Sequence, residues 1–95
     1  MVTRIHIFYP ALQAVIGHKE AVSVKGRTVA ECLADLVRQY PGTAKWLFDD
    51  KGALQDQVFV FINAESAQKA ALSTRLRSGD ELILAVMIIG GRLAY

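Results

Sequence analysis

Residues 29–40 have the periodicity of an amphipathic helix, and this feature restricts the possible folds more than any other. Apolar side chains recur here at intervals of three and four and would form one stripe along a helix. Thr28 and Glu31 have the spacing of a capping box, and Pro41-Gly42 predicts the helix end. Because the flanking segments alternate as strands do, we expect the stripe to pack on a sheet. The stripe consists of Val29, Cys32, Leu33, Leu36, Val37 and Tyr40.

Two strands are predicted before the helix. Residues 2–9 alternate, with Ile5 and Ile7 on one face and His6 on the other, and we expect the proline that follows to end the strand. After a turn region, residues 21–24 alternate again. The two segments therefore predict a β-hairpin.

Two further strands follow the helix. Residues 58–62 are apolar on both faces, which predicts a central strand whose second face is covered or binds a partner. Since neighbouring strand residues alternate, we expect Phe59 or Phe61 to face away from the helix, either against a partner protein or under a loop. Residues 81–87 form the predicted last strand, after a turn at Ser78-Gly79-Asp80.

The segments between these elements give weaker signals. Trp46-Leu47-Phe48 predicts a short helical turn, and residues 49–52 a turn rich in Asp and Gly. Between residues 63 and 78 the pattern is polar and mixed, with a weak signal for a short strand or turn. We expect Leu72 and Leu76 to anchor that stretch to the core.

The order of elements predicts an α+β fold of the β-grasp type. A hairpin followed by a helical crossover leads to a parallel neighbour, so the first and last strands should lie side by side at the centre of a mixed sheet. We expect four to five strands with the main helix packed across one face. Residues 1–89 would form one domain, and residues 90–95 a flexible tail.

Composition excludes several classes of protein. The 95 residues suffice for one domain, and the longest apolar run is too short to span a bilayer. The start of the chain does not have the build of a signal peptide, so we expect a cytoplasmic protein. The net charge of +2 comes from scattered Lys and Arg residues, which argues against nucleic acid as a partner.

No constellation of side chains predicts catalysis or metal binding. Cys32 is the chain's one cysteine and lies in the helix stripe, which indicates a small buried side chain. We interpret His6 as a solvated strand residue, find no second ligand or base for His18, and interpret Asp49-Asp50 as turn residues. The chain is therefore expected to have no catalytic residues, no bound metal and no cofactor of its own.

The pair Gly90-Gly91 lies just beyond the last predicted strand. Glycine has no Cβ, so two in a row make a thin, adaptable segment that can enter a narrow enzyme channel. A carboxylate at this place could reach an activating site, which makes Gly90 and Gly91 the predicted functional residues. The alternative is an ordinary loose end after a strand.

Taken together, these motifs resemble the ubiquitin-like sulfur-carrier family, which includes the thiamine sulfur carrier and the small subunit of molybdopterin synthase. The resemblance covers residues 2–91 and lies in the order and spacing of its pieces. They are Pro10-Ala11-Leu12, Thr28-Val29, Leu33, Leu36, Tyr40-Pro41-Gly42, Val58-Phe59-Val60-Phe61-Ile62-Asn63, Ser78-Gly79-Asp80-Glu81-Leu82 and Gly90-Gly91.

This resemblance implies a carrier rather than an enzyme. An adenylating partner of the ubiquitin-activating kind would use ATP to activate the Gly91 carboxylate, and a sulfur donor would convert it to a thiocarboxylate. The thiocarboxylate would then deliver sulfur to an acceptor enzyme in cofactor or metabolite biosynthesis, such as a molybdopterin or thiamine pathway.

The chain departs from the family pattern at its end. Most members end at the second glycine, whereas here Arg92-Leu93-Ala94-Tyr95 follow and block the Gly91 carboxylate. Relatives with such extensions resemble pro-forms, which implies cleavage between Gly91 and Arg92 by a zinc-dependent metalloprotease. Met87-Ile88-Ile89 replaces a segment that often carries proline. These apolar residues either dock in a partner's groove or lengthen the last strand.

Two other functions stay open. The chain could be a ubiquitin-like modifier joined through Gly91 to lysines of other proteins, which needs the same cleavage and adenylation. It could instead be a binding or regulatory subunit in which Gly91 is dispensable.

Overall fold

The computed structural model describes residues 2–63 and 71–86. The elements, in chain order, are β1 (Val2–Phe8), α1 (Pro10–Val15), β2 (Ala21–Lys25), α2 (Val29–Gln39), α3 (Ala44–Leu47), β3 (Val58–Ile62) and β4 (Glu81–Val86), with a 3-10 turn at Pro41–Thr43 before α3. Within these ranges, no helix is long and apolar enough to cross a membrane.

The described strands form one mixed sheet in the order β2-β1-β4-β3. β1 pairs antiparallel with β2, as the predicted hairpin requires. β1 and β4 pair in parallel at the centre, and β4 pairs antiparallel with β3. The predicted β-grasp arrangement is therefore confirmed, with α2 as the crossover between the hairpin and the rest of the sheet.

The position of β3 differs from the prediction. β3 was expected to be central because both of its faces are apolar, yet it lies at the edge of the four described strands. Its inward residues Val58 and Val60 are buried, whereas Phe59 and Phe61 on the other face are only half-buried. The second apolar face of β3 is therefore part of a partly exposed surface of the sheet. An apolar sequence pattern alone does not show whether such a face is covered by another layer or partly exposed.

The core lies between the sheet and α2. Each strand contributes the residues of one face, and α2 contributes its predicted apolar stripe, of which Val37 and Tyr40 are partly buried. Burial of this apolar surface is the main stabilising contribution to a domain of this size. The buried apolar residues are Ile5, Ile7, Tyr9, Leu12, Ile16, Val22, Val24, Val29, Cys32, Leu33, Leu36, Leu47, Val58, Val60, Leu76, Leu82 and Leu84.

The start of α2 is capped as predicted. Thr28 Oγ1 accepts a hydrogen bond from the Glu31 backbone N–H at 3.1 Å, and Glu31 Oε1 accepts one from the Arg27 N–H at 2.9 Å. The preceding Gly26 approaches the helix so closely that a Cβ there would lie 2.7 Å from the Cys32 nitrogen. Only glycine fits this approach without a shift of the backbone.

Helix α1 was not predicted from the sequence. The expected turn after β1 instead contains six helical residues, with Pro10 in the first turn. Proline has no N–H to bond there and its fixed φ suits a helix start. The buried side chains of Leu12 and Ile16 hold this segment against the core. So short a helix has too few residues to show a helical period.

The connecting segments follow the prediction. Leu76 is buried and Leu72 partly buried, and the Leu76 N–H donates to the Arg27 carbonyl at 2.8 Å. Asn63 ends β3 in the left-handed region at φ 63°, and its side-chain oxygen accepts the Glu81 N–H at 3.0 Å. The Asp49 carboxylate accepts two turn N–H groups, as a turn residue should.

Candidate functional site

The face of the sheet opposite α2, here called the open face, carries the strongest candidate site. Residues paired across neighbouring strands share a face, so the register identifies its members. They are Val2, Arg4, His6 and Phe8 of β1, Ala21, Ser23 and Lys25 of β2, Phe59 and Phe61 of β3, and Glu81, Ile83 and Ala85 of β4.

One end of the open face is apolar. Phe8 is 64% exposed, and the other apolar side chains around it are half-buried. The rings of Phe59 and Phe61 stack with centroids 6.3 Å apart and an interplanar angle of 15°. The sequence predicted one of these two rings on this face, and both lie there because they are two residues apart in one strand. We call this group, Phe8, Phe59, Phe61, Ile83 and Ala85, the apolar patch.

The other end of the open face is charged. His6 Nε2 contacts Glu81 Oε1 between β1 and β4, and Arg4 lies opposite Glu81 in the register. The hydrogen bond with His6 is the main reason that the pKa of Glu81 lies below its ordinary value. His6 was expected to be merely solvated. Its partner was missed because only the register of two distant strands brings residues 6 and 81 together.

The apolar patch lies at the end of the sheet where the described part of β4 finishes. Because β1 and β4 run in parallel, Ala85 near the end of β4 pairs with Phe8 at the end of β1. The described part of β4 ends one residue later, at Val86. The predicted functional residues Gly90 and Gly91, the cleavage residue Arg92, and the predicted contact residues Met87, Ile88 and Ile89 lie outside the described residues.

A shallow depression of about 490 Å³ lies beside Phe8. Its walls are mainly apolar, with one exposed imidazole and one amide. Gln13 Nε2 donates to the Ile7 carbonyl at 2.5 Å, which fixes the amide in place. Sequence reasoning missed this feature because α1 was not predicted. The lining residues are Ile7, Phe8, Tyr9, Pro10, Gln13 and His18.

The thiol of Cys32 lies in the hydrophobic core. Cys32 is buried, as predicted, and burial raises the pKa of its thiol, with the Thr3 hydroxyl bond acting in the other direction. Among residues 2–63 and 71–86, no three His, Cys, Asp or Glu side chains are grouped to hold a metal ion. The open face is thus apolar at one end, around Phe8, and charged at the other, around His6 and Glu81.

Comparisons with known proteins agree with the β-grasp fold. The model of the ThiS family matches residues 6–91. The crystal structure of SAMP1 from Haloferax volcanii is 31% identical, with 96% of this chain and 100% of that chain covered and a TM-score of 0.81. No curated protein matches the sequence.

Two more distant structures share the fold and were solved with a second protein. The first is the BexX/CysO complex from Amycolatopsis orientalis, at 22% identity, with 94% of this chain and 99% of that chain covered and a TM-score of 0.78. The second is the complex of subunits 1 and 2 of molybdopterin-converting factor from Helicobacter pylori, at 22% identity, with 96% and 100% covered and a TM-score of 0.57. The β-grasp chain described here, matched from residue 6 to the second glycine, belongs to the ThiS family of ubiquitin-like sulfur carriers.

Proposed function

We propose that this protein carries sulfur on the carboxylate of Gly91. The observation that carries the proposal is the extent of the family match, which runs from residue 6 through Gly91 and stops before Arg92. The part of the chain that resembles the family therefore ends at the second glycine. In this proposal the four residues that follow are a removable extension.

Cleavage between Gly91 and Arg92 comes first, because the peptide bond to Arg92 leaves Gly91 without a free carboxylate. We assign this step to a metalloprotease of the host. Glycine on both sides of the Gly90–Gly91 bond gives a narrow segment that can enter a protease cleft and, later, an adenylation site.

Activation and sulfur transfer then follow on the freed carboxylate. A carboxylate oxygen attacks the α-phosphorus of ATP in the partner enzyme, and pyrophosphate leaves, which gives an acyl-adenylate. A sulfide sulfur attacks the acyl carbon and AMP leaves with the bonding electrons, which gives the thiocarboxylate. All catalytic groups and the ATP site belong to partners, so this chain acts as a carrier and co-substrate in the cytoplasm and needs no cofactor.

The apolar patch is the proposed docking site for the adenylating partner and the sulfur acceptor. It adjoins the end of β4, so a protein bound there lies close to the emerging tail. The exposed Phe8 ring and the half-buried residues around it offer the apolar contact area typical of an interface core. Met87, Ile88 and Ile89 would extend this contact along the tail. Two structures with this fold, each solved in complex with a second protein, support a partner for this chain.

Modification of other proteins is the second candidate. The 31% identical relative is described as a small archaeal modifier protein. A modifier uses the same cleaved and adenylated Gly91, and the acyl group then passes to a lysine amine instead of to sulfide. Isopeptide-linked Gly91 on lysines of host proteins, found by mass spectrometry of digests, would favour this function.

The intact mass of the protein tests the proposal. The full chain is incubated with the host's metalloprotease and adenylating enzyme, ATP and sulfide. We expect loss of Arg92-Leu93-Ala94-Tyr95, followed by the mass gain of an oxygen-to-sulfur exchange. Gly91→Trp should block cleavage or activation. Gly52→Asn, in an exposed turn at φ 83° where asparagine is tolerated, controls for glycine substitution. An unchanged full-length mass would leave only the binding-subunit function, in which Gly91→Trp is harmless in the host pathway.

A further inference from the structure

The charged end of the open face carries more positive than negative charge. Arg4, His6 and Lys25 lie there with one carboxylate, that of Glu81, among the described residues of this face. We propose that the charged end receives an acidic segment of the adenylating partner, with the Arg4 guanidinium as its main contact. This inference rests on the proposed function, because it takes the adenylating enzyme as the protein that docks on the neighbouring apolar patch.

The carboxylate of Glu81 is already engaged by another side chain. It contacts His6 Nε2, although its partner in the register is Arg4. The hydrogen bond with His6 is the largest cause of the lowered pKa of Glu81, and the charge of Arg4 contributes least. Within residues 2–63 and 71–86, the exposed Arg4 guanidinium makes no hydrogen bond or ion pair. Its N–H donors are therefore available to a carboxylate from another protein.

The turn before β4 does not supply a second carboxylate to Arg4. Asp80 Oδ2 accepts the Arg77 N–H at 2.8 Å, and Asp80 Oδ1 accepts a hydrogen bond from Asn63 Nδ2 at 3.2 Å. The charge of Asp80 is also offset by the exposed Arg77 side chain in the same turn. Lys25, at the end of β2, adds a further exposed cation. Positive charge therefore remains uncompensated at this end of the sheet.

A protein that docks on the apolar patch also covers Arg4. Arg4 and Phe8 lie on the same face of β1, four residues apart, which is a distance of about 13 Å along the strand. An interface of ordinary size covers about 800 Å² of each partner and extends beyond this distance. Covering a guanidinium without a partner removes its water and leaves its donors unsatisfied, which is costly. A well-matched partner therefore offers Arg4 a carboxylate.

The two ends of the open face would have different roles in docking. The apolar patch supplies contact area, which is not directional. Opposite charges across an interface speed association and fix the orientation of the two proteins. An acidic segment over Arg4 would place the rest of the partner over the apolar end, where the described part of β4 finishes.

Association kinetics with the host's adenylating enzyme test the inference, on both the full chain and the chain that ends at Gly91. Arg4→Gln should lower the association rate constant about threefold or more at an ionic strength of about 0.1 M. Glu81→Gln should raise it, because the variant removes the competing charge while the amide oxygen still accepts a hydrogen bond from His6. Arg38→Gln is the matched control, since it removes the same charge from α2, on the opposite side of the sheet.

The dependence on salt separates charge from structure. The difference between wild type and Arg4→Gln should disappear at an ionic strength of about 1 M, where charges are screened within about 3 Å. A difference that persists there would show a structural effect of the variant and would overturn the inference. Thermal unfolding of each variant confirms that it is folded.

The signs of the two effects identify the charge of the partner. Faster association of Arg4→Gln and slower association of Glu81→Gln would indicate a basic partner, and equal effects of Arg4→Gln and Arg38→Gln would indicate net charge alone. Either result overturns the inference. So does sedimentation of the wild-type chain as a dimer that Arg4→Gln dissociates, because the face would then bind a second copy.

Thiocarboxylate formation on the wild-type chain that ends at Gly91 is measured separately. If it proceeds while the charge variants associate as wild type does, this inference fails and the sulfur-carrier function stands. If the wild-type chain neither binds the adenylating enzyme nor gains sulfur, both fail.

Discussion

Cys32 is the chain's one thiol, and its position decides whether the folded domain has a sulfur group of its own. It lies in the apolar stripe of α2 with no exposed surface, and burial raises the pKa of the thiol. The thiolate is the reactive form, so a buried thiol with a raised pKa is a poor nucleophile. Cys32 is therefore unsuited to carry reactive sulfur in the folded domain.

We expect Cys32 to resist thiol reagents in the folded protein. Labelling by a thiol reagent at neutral pH should be at least about 100-fold slower in the native chain than in urea, because exposing a core residue costs several kcal/mol. The double variant Cys32→Ala, Ser73→Cys, with its thiol in an exposed loop, should label at the rate of the unfolded chain. Rapid stoichiometric labelling of native Cys32 would contradict this assignment.

Patterns within one element predicted single residues well, and contacts between distant elements were missed. The buried positions of Ile5, Ile7 and Cys32 follow from the local alternation of a strand and the period of a helix. The His6–Glu81 contact does not, because it depends on the register between β1 and β4. A one-residue change of register would remove it without any change in either strand's own pattern.

Helix α2 protects the outer edge of β2 with side chains. Asp35 accepts the Lys25 N–H at 2.9 Å, and Gln39 Nε2 donates to the Ser23 carbonyl at 2.9 Å. These are backbone groups that point away from β1. Pairing them within the molecule blocks the addition of a foreign strand at this edge. The helix therefore covers the core and also satisfies the edge of the sheet.

Asp35 gives this edge a dependence on pH. The bond from the Lys25 N–H, followed by that from Arg38, holds the pKa of Asp35 below its ordinary value of 3.8. A carboxyl group whose pKa is lower in the folded state stabilises the protein above the unfolded pKa, and this contribution is lost as the pH falls through the folded pKa. We expect Asp35→Asn to be less stable than wild type at about pH 6, with the difference shrinking below about pH 4.

Urea unfolding across this pH range measures the difference. Asp50→Asn removes the same charge from an exposed turn and serves as the control. A difference between wild type and Asp35→Asn that stays constant down to the lowest pH at which the protein folds would show that Asp35 does not stabilise the edge through its charge.

Element type and order were predictable, whereas α1 and the edge position of β3 were not. The capping box and the apolar stripe predict α2 because each is a repeated local signal. Helix α1 has six residues and depends on the burial of Leu12 and Ile16, which is a property of the finished fold. The two apolar faces of β3 were interpreted as burial on both sides, although one of them is part of the open face.

At the scale of the whole molecule, one topological fact places the candidate site. The parallel β1–β4 pair puts the end of the described chain and the apolar patch at the same end of the sheet. The sequence predicted this pairing from the helical crossover between the hairpin and the later strands. It also predicted one aromatic residue on the open face, but not the extent of the patch, which five residues from three strands assemble.

A partner that docks on the apolar patch should depend on Phe8 much more than on Val2. In the chain that ends at Gly91, Phe8→Ser should lower the kcat/KM of adenylation by about tenfold or more. Burial of a phenylalanine ring contributes about 1.5–3 kcal/mol, and each 1.4 kcal/mol changes the rate tenfold.

Val2→Ser is the matched control. Val2 lies on the same strand and face and is 60% exposed, against 64% for Phe8, but it is at the end far from the tail. Both variants change exposed side chains, so thermal unfolding should show two folded proteins of similar stability. If Val2→Ser slows adenylation as much as Phe8→Ser does, the partner does not distinguish the two ends of β1, and the apolar patch is not its docking site.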